Sequence, residues 1–128
     1  MDPATLDVKP ETGGSWLIFS GPSLRRATKA EFDGCCDGLP VQQFHVWLLS
    51  PGGTLQQMFE DQTLMSGMYM GAVDKKIQIS PDGNKFTIYD AMVSPADHHE
   101  SWSSVTYCRQ AMTYKECAHN DDARPPRK

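Results

Sequence analysis

Three sets of side chains carry the types that chemistry uses: an imidazole with a carboxylate and a phenol, a group of aromatics with methionine, and four thiols. His45 stands in the strongest strand-like run, Val41 to Ser50. Asp90 stands in another, Lys85 to Met92, directly after Tyr89. A carboxylate enclosed by apolar neighbours titrates above its ordinary range, because burial disfavours the charged form. His45, Asp90 and Tyr89 could then move protons to and from a bound substrate, as the acid and base of a barrel isomerase or cyclase do. The plainer reading leaves Asp90 at a strand end, facing water.

The aromatic set is Trp16, Trp47, Tyr69 and Tyr107, with Met68 and Arg109 beside it in the pattern. Aromatic and methionine side chains with a few polar tips suit a small apolar or aromatic ligand. The same residues would also serve as the ordinary core of a β protein. Seven methionines fit both readings, since Met fills irregular gaps and adapts to ligands alike. His98-His99-Glu100 invites a metal reading. On a strand, however, adjacent side chains point to opposite faces, and a solvated loop is the better account, so no metal is expected. The phosphate-loop, dinucleotide, zincin, EF-hand and nucleophile-elbow signatures are all missing from the sequence, and it implies no cofactor.

The thiols are Cys35, Cys36, Cys108 and Cys117. Adjacent cysteines seldom bridge each other, since disulfide geometry wants Cα atoms about 5.5 Å apart. In an exported protein the even count and two separated clusters favour a long bridge from Cys108 or Cys117 back to Cys35 or Cys36. A short Cys108–Cys117 bridge competes with it. In a reducing compartment all four would be free thiols. The paired spacing of a zinc site is absent.

The elements that must hold these residues are strands. With 128 residues the chain suits one domain with a hydrophobic core of its own. From Val41 to Arg109 apolar and polar residues alternate, and turns recur at short intervals. Pro51-Gly52-Gly53 and Pro81-Asp82-Gly83-Asn84 carry the strongest turn chemistry, with Pro presetting φ and Gly taking the left-handed position. Residues 1–14 read as a flexible tail, 15–118 as a single β domain and 119–128 as a second tail. Ser23 to Asp37 offers one short helix or a long loop after the first strand. The strand at Val41 to Ser50 is apolar on both faces: Phe44, Val46 and Leu48 on one, His45, Trp47 and Leu49 on the other. Such a strand is expected to be covered on both sides. That favours a small antiparallel barrel with His45, Trp47 and Leu49 turned inward. A β-sandwich is the alternative.

Gly14-Ser15-Trp16 at the head of the first dense apolar strand resembles the G-x-W opening of lipocalin-type barrels. In that family the tryptophan closes the base of the barrel and a late arginine packs across it. The resemblance implies a calycin-like barrel with Trp16 and Arg109 in those places.

Composition narrows the partners. The formal net charge is -4, and no Lys or Arg occurs from Ala30 to Asp74, so a nucleic-acid footprint is not expected. No apolar run approaches the roughly 20 residues of a membrane-crossing helix. The opening residues lack the basic start and apolar stretch of a signal peptide, which leaves cytoplasmic and secreted locations both open. The leading expectation is therefore binding of a small apolar or aromatic molecule inside a barrel. The alternatives are the isomerase or cyclase, a secreted disulfide-stapled interaction protein, and a structural or assembly subunit. A protein partner or a homodimer would go with the last two.

Overall fold

Turn chemistry sets the order of the chain. The computed structural model describes residues 6–26, 40–64, 72–93 and 99–125. Among them run eight strands: β1 (Leu6–Pro10), β2 (Trp16–Arg26), β3 (Pro40–Leu49), β4 (Leu55–Leu64), β5 (Ala72–Ile79), β6 (Lys85–Val93), β7 (Glu100–Gln110) and β8 (Thr113–Asn120). Each pairs antiparallel with the next in its sheet. Sheet A has the order β1-β2-β3-β4 and sheet B the order β5-β6-β7-β8. The Pro81–Asn84 turn does join two paired strands, β5 and β6. In it Gly83 has φ +75°. Its amide donates to the Ser80 carbonyl at 3.0 Å. The Asp82 carboxylate accepts from the Asn84 amide at 2.9 Å and from the Ser80 hydroxyl at 2.7 Å. These bonds, the Asn84 amide first, hold the Asp82 carboxyl below its usual range.

The architecture is a β-sandwich, and the barrel expectation is corrected. Among the described residues no strand of one sheet pairs with a strand of the other, so no closed ring of hydrogen bonds forms. The space between the sheets is filled with rings. Phe86 packs against Phe19, Phe44, Phe59, Tyr107 and Tyr114, with centroids 4.9 to 6.2 Å away. Leu17, Val46, Leu48, Met58 and Ile88 complete this buried cluster. The inward set of β3 is Phe44, Val46 and Leu48, all buried. His45, Trp47 and Leu49 lie on the outer face, the reverse of the expected assignment. The interior ligand site goes with the barrel, since the packed aromatics occupy the place it needed.

Three local features also depart from the pattern. β1 lies inside the stretch 1–14, whose polarity and prolines suggest a tail. β2 continues through Ser23 to Arg26, where a helix or loop was expected to begin; the remainder of that segment, 27–37, lies outside the described residues. A bulge breaks the β2–β3 register between Ser20 and Ser23. Gly21 sits in it with φ +116°, packed so closely on the Gln43 carbonyl that a Cβ has no room there. Trp16 is 44% exposed on the outside of sheet A, and Arg109 pairs with Glu11. The tryptophan therefore plugs no barrel base, and the lipocalin resemblance does not extend to the fold.

Replacing Gly83 with Val should destabilise by about 2 kcal/mol, because the position is left-handed and a Cβ there meets Leu17 at 3.1 Å. Urea denaturation of the two proteins measures it, and an unchanged midpoint would refute the turn assignment. A second expectation concerns alkali. The Tyr114 hydroxyl donates to the Gly83 carbonyl at 2.8 Å. Burial, with Arg109 opposing and Asp82 adding, pushes its phenol from 10.0 up to about 12. The unfolded chain releases that proton near 10, so the stability it contributes is complete below this pH. It is lost as the pH rises through about 12. Stability measured from about pH 9 to about pH 12 should therefore fall less steeply in Tyr114→Phe than in the parent. Equal slopes would show that Tyr114 does not couple folding to this proton.

Candidate functional site

Two features stand out from the strand ladders: a buried ionic cluster between the sheets, and an apolar face outside them. The cluster centres on Lys75, whose residue exposure is only 2%. β5 alternates so that Lys75, Ile77 and Ile79 share the inward face. The Lys75 ammonium donates to Asp90 at 2.8 Å, across the β5–β6 pair, and to Asp61 of β4 at 2.7 Å. One lysine thus ties sheet B to sheet A. Tyr107 lies close by, its ring 4.7 Å from Phe59. Burial first, then the charges of Asp61, Glu116 and Asp90, push its phenol up. A second ion pair between the sheets joins Arg109 to Glu11.

The residues expected to do acid–base work are not brought together. His45 lies on the outer face of sheet A, where Nε2 sits 3.0 Å from Glu60 Oε2. Asp90 points between the sheets toward Lys75. Tyr89 lies on the outer face of sheet B, its hydroxyl donating to Gln78 at 3.3 Å. Of the expected ligand contacts, Trp16 and Trp47 share the outer face of sheet A. Tyr107 is in the inter-sheet layer and Arg109 at its rim. Met68 and Tyr69 lie outside the described residues, as do His98, Cys35 and Cys36. Cys108 bridges Cys117, which corrects the long-range pairing to the short one between neighbouring strands. An open cavity of about 590 Å³ lies between the Pro81–Asn84 turn, Cys108 and Arg109. It carries no aromatic lining and offers no enclosed apolar site.

The outer face of sheet A is built by register. Pro10, Trp16, Leu49 and Leu55 are successive partners across β1, β2, β3 and β4. Val8, Ile18, Trp47 and Gln57 form the next row. Leu6, Ser20, His45 and Glu60 form the third. Partnered residues in an antiparallel ladder point to the same side, so these rows make one surface. Its apolar members are open to solvent: Leu6 64%, Leu55 53%, Val8 49% and Trp16 44%. Met92 and Met112 are the other large apolar side chains so exposed among the described residues. Ile18, Trp47 and Leu49 are half-buried in the middle, and the His45 ring stacks on Trp47 with centroids 5.5 Å apart. The only charged group in these rows, Glu60, is already paired with His45 at one corner.

β1 makes the pattern plain. Its burial alternates, with Asp7 and Lys9 on the inner side and Leu6, Val8 and Pro10 outside and exposed. Asp7 and Lys9 pair with each other at 3.3 Å. The Lys9 and Asp7 side chains are 21% and 45% exposed, so the charged side of this edge strand lies at the rim of the inter-sheet layer while its apolar side faces water, against the usual arrangement. The outer face of sheet B carries Lys76, Gln78, Thr87, Tyr89 and Thr106, with Thr87 and Thr106 hydroxyls 2.8 Å apart, and its apolar pair Ala91 and Trp102 is buried rather than exposed.

Comparison with family models, curated proteins and solved structures gave no match to this chain. No helix among the described residues is long and apolar enough to cross a membrane.

The ionic cluster gives a clear asymmetry to measure. Lys75 is enclosed, whereas the Asp61 and Asp90 side chains keep 27% and 34% exposure. Removing the lysine leaves two carboxylates that can reach water. Removing both carboxylates leaves a buried charge with no counter-ion. Asp61→Asn with Asp90→Asn should cost about 3 kcal/mol or more, and Lys75→Met clearly less, by chemical denaturation. The opposite ranking would mean that Lys75 is not the group that the cluster exists to satisfy.

Proposed function

We propose that this chain is a disulfide-stapled interaction protein that works by surface contact, with the outer face of sheet A as its contact surface. The occupant of that face is an uncharged, apolar face of a protein. The observation that carries the reading is the inverted face itself. Four large apolar side chains on one side of one sheet are 44% to 64% exposed. Contiguous apolar surface of this kind is rare on proteins that work alone and marks contact sites. Tryptophan at its centre fits, since aromatic residues dominate the energetics of interface cores.

Two further points support contact over catalysis or small-molecule binding. The space between the sheets is filled by the ring cluster around Phe86. His45, Asp90 and Tyr89 stand on three different surfaces, so no pair of them can act on one substrate atom. The Cys108–Cys117 bridge, with a sequence separation of 9, suits a protein of an oxidising compartment, where disulfides persist. By the chain-entropy relation it adds roughly 2.5 kcal/mol of stability.

A contact face differs from a structural one in what it does for folding. Val8→Lys with Leu55→Lys should leave stability within about 0.5 kcal/mol of the parent, because both residues are about half exposed and stand on edge strands. The same pair should abolish binding of an apolar fluorescent dye to the folded protein. A large loss of stability in the double variant would show that the chain itself uses this face, and the reading would fall.

A further inference from the structure

We infer that the occupant of the outer face of sheet A is a second copy of this chain, packed face to face about a two-fold axis parallel to the strands. The inference rests on the reading of that face as a contact surface and names what fills it.

The case is the register. Take an axis midway between β2 and β3, running along them. A half-turn about it lays β3 of a second copy over β2 of the first and keeps each row in line. Trp16 then falls opposite Leu49 of the second copy, and Ile18 opposite its Trp47. Ser20 falls opposite its His45, a hydroxyl against an imidazole that can hydrogen-bond. Pro10 meets Leu55, Val8 meets Gln57, and Leu6 meets Glu60 at the outer rim. Apolar groups thus meet apolar groups along the centre of the face, and the polar and charged ones fall at its margins. That is the anatomy of a protein interface. An axis across the strands would exchange the first row with the third, setting Trp16 against Ser20 and Leu49 against His45. The first orientation is the better match, since it sets Trp16 on Leu49 and Pro10 on Leu55, whereas the second also opposes Leu55 to Glu60. Stacked sheets settle about 10 Å apart with strands within about 30° of each other, and the middle row, nearest the centre of the face, is displaced least by that rotation.

Charge agrees with this choice. A chain of net charge -4 that recruited a basic partner would present carboxylates at the contact. This face presents one, Glu60, already paired with His45. A neutral face complements another neutral face, and a second copy supplies one of the right extent. Edge-to-edge association is the other route open to a sandwich. At the edge of sheet A that β1 forms, its short length, Pro10 and the Asp7–Lys9 pair discourage it. Because both copies use the same patch, the contact is isologous and closes at two.

Sedimentation velocity on the full chain with its disulfide intact, from roughly 1 μM to 1 mM, tests the inference. A concentration-dependent monomer–dimer equilibrium is expected. Trp16→Asp and Leu55→Lys should each raise the dimer dissociation constant at least about tenfold. Lys76→Glu, on the outer face of sheet B, should leave it unchanged. Added salt should not dissolve the dimer, since no charge pair holds it and two acidic copies repel less when screened. Far-UV circular dichroism of each variant confirms that it is folded, and Leu55, on an edge strand, is the safer of the two. A monomer at every concentration overturns the inference. So does a dimer indifferent to both face variants, or one that salt dissociates. A monomer that still binds the apolar dye on this face, and loses it in Val8→Lys with Leu55→Lys, removes the second copy alone and leaves the contact surface standing. A monomer that binds no dye there removes both.

Discussion

The ring of Phe86 determines what the rest of this molecule can be. It stands on β6 and touches five other aromatic rings, two from β7 and β8 in its own sheet and three from β2, β3 and β4 across the gap. Offset and edge-on ring pairs of this kind add to ordinary burial. More important is the volume they fill. Two sheets of a sandwich stand about 10 Å apart, and large rings from both leave no room for a guest. Once the core is closed in this way, whatever the protein recognises must be met on its outside.

Lys75 works beside that core in a different way. Rings will tolerate some sliding of one sheet over the other, because dispersion contacts are many and weakly directional. A buried ammonium will not. It must find its acceptors within hydrogen-bond distance, and they come from both sheets: Asp90 from β6 and Asp61 from β4. Any other alignment of the sheets strands a charge in the interior, at a cost of several kcal/mol. The lysine therefore restricts which alignments of the two sheets leave its charge satisfied. It stands on the same face as Ile77 and Ile79, so its own strand pattern places it inward.

Much of sheet B and of the strand at Val41 was legible, and the reasons are local. Alternation and turn residues act over a few positions, so Pro81–Asn84 and the strands around it could be read directly. What could not be read depends on pairings made at a distance. Apolar residues on both faces of β3 were legible too. Their meaning was not, because alternation says which residues share a side and nothing about which side meets the core. The assumption that a strand apolar on both faces must be covered by its own chain led to the barrel. Lys75 was missed because a lysine is ordinarily solvated and nothing near it in sequence marks it as enclosed. β1 was missed because Asp7 and Lys9 made its residues look like a polar tail. The Cys108–Cys117 bridge depends on β7 pairing with β8, which spacing alone does not decide.

The inversion of β1 ties these points together. An edge strand can be stabilised by its backbone bonds to β2 alone, and nothing in folding requires Leu6, Val8 and Pro10 to take the outer side while Asp7 and Lys9 take the inner rim. A swap of parity would place the apolar set on the less exposed side. The strand keeps the opposite arrangement, and by doing so it extends the surface begun by Trp16, Ile18 and Trp47 by one more strand. The same choice recurs at the far edge, where β4 turns Leu55 outward in line with Trp16 and Leu49. Two edge strands, unrelated in sequence, therefore widen one face at the expense of ordinary solvation. A folding argument does not explain that coincidence. The contact proposed for the whole width of sheet A would, and it would give the molecule a division of labour in which sheet B and the aromatic layer hold the shape while sheet A offers it to a partner.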